Sequence, residues 1–86
     1  MTKASDMMVL PAAQRQDYFR KAYAIELARL HATGACRWPA DQLPQMVDRA
    51  MVAITAHTMP IGPAMDATRK LFGLKTHKAT YEFLGV

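Results

Sequence analysis

The sequence predicts an all-α fold, a small four-helix domain, from three observations. Apolar residues recur at three- and four-residue steps through two long segments. Prolines and glycines gather where those segments begin or end, and no stretch alternates apolar with polar residues as a half-buried strand would. Eighty-six residues suffice for one domain and leave no room for a second. Residues 1–86 are therefore expected to form a single helical domain, with residues 1–10 as a flexible arm.

Within the arm, Ser5 or Asp6 is placed to cap a short turn through Met7, Met8 and Val9. That apolar patch is hard to bury in a lone small domain, and it points to contact with a second copy or another protein. The Leu10-Pro11 step pushes Leu10 out of the helical region, and Pro11 suits the first helical position. From Pro11 to Ala32 the composition is strongly helical, with Phe19, Ala22, Tyr23, Leu27 and Leu30 forming an apolar stripe that Tyr18 and Ile25 widen. Gly34 follows where such a helix stops. At ~1.5 Å per residue this is the longest element and the expected scaffold.

A loop from Ala35 to Leu43 carries Trp38, expected as a lid on the core edge, and Asp41, expected to cap the next helix. That helix runs from Gln42 to His57 on the stripe Leu43, Val47, Ala50, Met51, Ile54, with Pro44 inside the first turn. Met59-Pro60-Ile61-Gly62-Pro63 reads as a stiff linker. The remaining residues give a short helix from Ala64 to Phe72, a tight turn at Gly73, and a last helix from Thr76 to Leu84. The expected core is Phe19, Tyr23, Leu27, Leu30, Val47, Met51, Ile54, Leu71, Leu74 and Phe83.

Charge is concentrated in that last pair. The chain is net +4, with seven cations and five anions in residues 1–62 and four cations and two anions in residues 63–86. No acid lies between Ala67 and Tyr81, whereas Arg69, Lys70, Lys75, His77 and Lys78 surround the turn. Leu74 directly after the glycine, Ala79 and Phe83 keep the spacing of buried positions in the DNA-binding helix-turn-helix, and the stretch resembles that motif. It departs from it at Arg69, four residues before the glycine, where the motif usually keeps a small residue. An arginine stem can lie along such a contact with its head in water. The last helix runs on to Val86, so its support has to come from residues before Pro63.

The resemblance implies a nucleic-acid-binding surface made of Arg69, Lys70, Lys75, Thr76, His77, Lys78, Thr80 and Tyr81. In it Thr76 caps a recognition helix, His77, Lys78, Thr80 and Tyr81 face the groove, and flanking cations take phosphates.

No catalytic constellation accompanies this surface. Carboxylates are scattered over separate elements, and Gly62 and Gly73 lack the Gly-rich loop and Lys-Ser/Thr of a phosphate cradle. His31, Cys36, Asp41 and His57 lack zinc-ligand spacing, and each histidine sits near a helix C-terminus, where the helix dipole favours it. Neither a metal nor a cofactor is expected, and Cys36, the sole cysteine, is expected as a free thiol. No run approaches the ~20 apolar residues of a spanning helix, and the N-terminus is no secretory signal, so a cytoplasmic protein is expected. The expected function is a non-catalytic DNA-binding regulator or accessory factor, with homodimerisation as a means of adding contacts. The alternative is a helical adaptor or inhibitor that binds another protein through the Met-rich arm or the first helix.

Overall fold

The computed structural model describes residues 3–86, and among them the chain is helical with no strand. Five helices follow one another: α1 (Ala4–Met7), α2 (Ala12–Ala32), α3 (Leu43–Thr55), α4 (Pro63–Phe72) and α5 (His77–Leu84), with a 3-10 turn at Ala40–Gln42 before α3. The four longer helices are those expected, with ends within two residues. The main packing partner of α3, α4 and α5 alike is α2.

The buried face of α2 carries Arg15, Phe19, Tyr23 and Leu27 at four-residue steps. Phe19 is fully buried and stacks on Phe72 of α4, ring centres 5.7 Å apart. Phe72 in turn meets Phe83 of α5 at 5.1 Å. This row of three rings ties three helices together. Val47, Ala50 and Ile54 close the core from α3. Leu30, Met51 and Leu71, expected at its centre, are only partly buried around it.

On α4 the inner face is Ala64, Met65, Thr68 and Phe72. Leu71 therefore lies to one side of that face. Thr68 is buried without penalty because its hydroxyl donates to the Ala64 carbonyl at 2.7 Å. The fully buried residue beside Arg69 is thus its neighbour Thr68.

The arm differs from expectation. Met1 and Thr2 lie outside the described residues, but residues 4–7 form a helical turn and Met7 is buried in the core. Neither Ser5 nor Asp6 caps it, since Lys3 holds the N-cap position with no side-chain hydrogen bond. Arg15 holds the turn down: its guanidinium is buried and donates to the Met8 carbonyl at 3.2 Å. Met8 and Val9 stay exposed.

Two loop expectations are also corrected. Asp41 lies within the 3-10 turn and makes no cap hydrogen bond, because the chain enters α3 directly from that turn. Trp38 is 41% exposed rather than a lid, with the Arg49 guanidinium over its ring at 5.8 Å. Arg20 of α2 pairs with Asp48 of α3. Both partners are exposed, so the pair adds little stability.

Candidate nucleic-acid interface

Gly73 makes the turn of the helix pair. Its backbone is left-handed, at φ +70, and Leu74 N–H reaches back to the Arg69 carbonyl at 2.9 Å. The chain then extends to Thr76, whose side-chain oxygen accepts from Ala79 N–H at 3.0 Å and starts α5. Leu74 and Phe83 are buried and Ala79 is partly buried. The end of α5 is braced from before Pro63: Gln16 of α2 donates to the Leu84 carbonyl at 2.6 Å.

Around this turn Lys70, Lys75, Thr76, His77 and Lys78 are all exposed. Among the described residues, none of the three lysines forms an ion pair. Lys70 and Lys75 border an open groove of about 720 Å³, together with Pro63, Asp66, Ala67 and Arg69. Arg69 is less available than expected. It is half-buried and pairs with Asp66 at 2.7 Å, and its Nε is buried without a partner.

Thr80 corrects the expected groove-facing surface. It is fully buried and donates to the Thr76 carbonyl at 3.0 Å. The inner face of α5 is Thr80, Phe83 and Leu84, so the outer face is His77, Lys78 and Glu82. Tyr81 sits on the flank, partly buried. Its ring stacks on His57 of α3, centres 4.3 Å apart and planes 17° apart, and His77 approaches it at 6.5 Å.

His57 was read from the sequence only as a helix end. It has an unusual backbone: among the described residues it is the non-glycine residue with positive φ, at +57. Four helices leave through a left-handed residue, Gly34, His57, Gly73 and Gly85, each followed by an N–H that reaches back five residues to a carbonyl. Glycine takes this conformation freely, whereas a residue with a β-carbon loses roughly 1–2 kcal/mol. Histidine therefore stands where the other three exits use glycine, and the stack on Tyr81 offsets part of its cost.

Other candidate chemistry is sparse. Among the described residues, no three His, Cys, Asp or Glu side chains gather to hold a metal. Cys36 is half-buried beside Tyr23, whose phenol is pushed up from its ordinary value by burial and by the nearby thiol. No helix among the described residues is long and apolar enough to cross a membrane. No protein-family model, curated protein or solved structure matches this chain.

Proposed function

We propose that this domain is a non-catalytic DNA-binding protein, a regulator or accessory factor, that grips the phosphate backbone with the cations around the α4–α5 turn. The observation that carries the reading is the set of exposed Lys70, Lys75 and Lys78 beside His77, unpaired among the described residues and held on two helices and the turn between them, the helices' inner faces being fixed in the core. An ammonium already paired to a carboxylate gains little from a phosphate. A free one on a rigid support gains the contact and releases a condensed counterion. Base reading would fall mainly to His77 and Lys78, since Thr80 is inside the core and Tyr81 is occupied by His57. Two copies would double the phosphate contacts, which favours a dimer on DNA, and a lone thiol suits a cytoplasmic setting.

The test is duplex binding across a salt series. The double variant Lys75→Ala, Lys78→Ala should keep its stability within about 0.5 kcal/mol, as surface changes usually do. It should bind every duplex more weakly by a similar factor. Its plot of log affinity against log salt should be shallower by about two units, near one per lost phosphate contact. Equal binding by the variant and the unaltered protein overturns the reading. The rival is a protein-binding adaptor, and the exposed Val9 of the arm and Ile25 of α2 favour it. Partner binding through those residues would be insensitive to salt and would survive the lysine changes.

A further inference from the structure

We propose that His57, which lies on neither helix of the pair, is the stacking platform on which this surface seats an unpaired nucleobase, so that the domain holds single-stranded DNA more tightly than duplex. This inference rests on the nucleic-acid reading above and names the form of nucleic acid it favours. Tyr81 covers one face of the His57 imidazole at 4.3 Å, and His57 is nonetheless an exposed residue. Among the described residues no other ring pairs with His57, so the two-ring stack has a vacant end. His77 and Lys78 lie one helical turn before Tyr81 on α5, and both are exposed. A cation for the phosphate and a ring for the base therefore stand side by side.

That pairing is what single-strand binding uses, because every base has a π-face and stacking tolerates any sequence. A base inside a duplex has both faces already covered by its neighbours. Only an unpaired or terminal base can add itself to the vacant end of the stack. The conformation of His57 agrees with this use. A plain helix exit is served by glycine, as at Gly34, Gly73 and Gly85, so a ring held there against backbone preference has a task that glycine cannot perform.

The experiment uses a twelve-residue oligodeoxythymidine carrying one 2-aminopurine, alone and annealed to its complement, with His57→Gly, His57→Asn and the double lysine variant. The unaltered protein should bind the single strand more tightly than the duplex and quench the 2-aminopurine. His57→Gly relieves the left-handed strain and keeps the helix exit, so it should fold at least as well. It should nonetheless lose the quenching and about 5- to 150-fold in single-strand affinity, equivalent to ~1–3 kcal/mol per stacked base. Its duplex affinity should change by less than twofold. His57→Asn, which tolerates the same backbone and lacks the imidazole, should behave alike. Unchanged single-strand affinity or quenching in both His57 variants overturns the platform. The phosphate reading then stands if the double lysine variant still weakens binding to both forms. Absence of binding to either form at low salt overturns both.

Discussion

Phe83→Ala should cost about 3–5 kcal/mol of stability, the range for deleting a large buried side chain and leaving a cavity. Phe83 is 1% exposed and completes the row Phe19–Phe72–Phe83, so its removal also forfeits an aromatic contact worth about 0.5–1.5 kcal/mol. Native domains are stable by only about 5–15 kcal/mol, so this one change consumes a large share of the total. Urea denaturation of the alanine and leucine variants checks it. Leucine refills most of the volume and should cost clearly less. An alanine variant within 1 kcal/mol of the unaltered protein would mean that Phe83 does not fill the centre of the core.

Gly85→Ala should be the next most harmful, although it adds a single methyl near the end of the chain. The residue is left-handed at φ +71, which alone costs an alanine roughly 1–2 kcal/mol. The new β-carbon would also fall 2.8 Å from the Ala12 β-carbon at the start of α2, a distance at which one helix end has to move. The two contributions can be separated. Ala12→Gly removes the obstacle, so the double variant should be more stable than the sum of the single effects implies. Strict additivity would show that a methyl at position 85 does not meet Ala12.

Much of this arrangement was legible in the sequence because helix ends announce themselves. Pro63, Thr76, Gly34 and Gly73 each fix a backbone choice locally, and the four longer helices follow to within two residues. What escaped was residue chemistry that periodicity does not weigh. Thr68 and Thr80 look polar, yet each hydroxyl satisfies itself on the preceding turn of its own helix and can go inside. Counting only apolar residues therefore rotated the inner faces of α4 and α5, bringing Leu71 inward and Thr80 outward. Arg15 and Met7 escaped for a related reason, since a buried guanidinium that holds a neighbouring carbonyl leaves no mark on apolar spacing.

The candidate surface was legible in its charges and not in its rings. Lys70, Lys75, His77 and Lys78 stand exposed around the turn, as the acid-free tract implied. His57 lies twenty-four residues before Tyr81 in the chain, and only the tertiary fold brings the two rings together. A signal was nevertheless present. Ala56-His57-Thr58 closes a helix with no glycine at the exit, and that omission is visible in the sequence once the other exits are compared.

The dependence of α3, α4 and α5 on a common partner has a consequence for how this surface can be inherited. The spacing of the lysines is set by a helix that carries none of them, through Phe19 and the bond from Gln16 to the Leu84 carbonyl. Residues 63–86 are thus not a portable cassette. Grafted onto a foreign scaffold they would bring the charges without the separations. Conversely, drift along the concealed side of α2 would retune the distances between cations while every cation stayed unchanged.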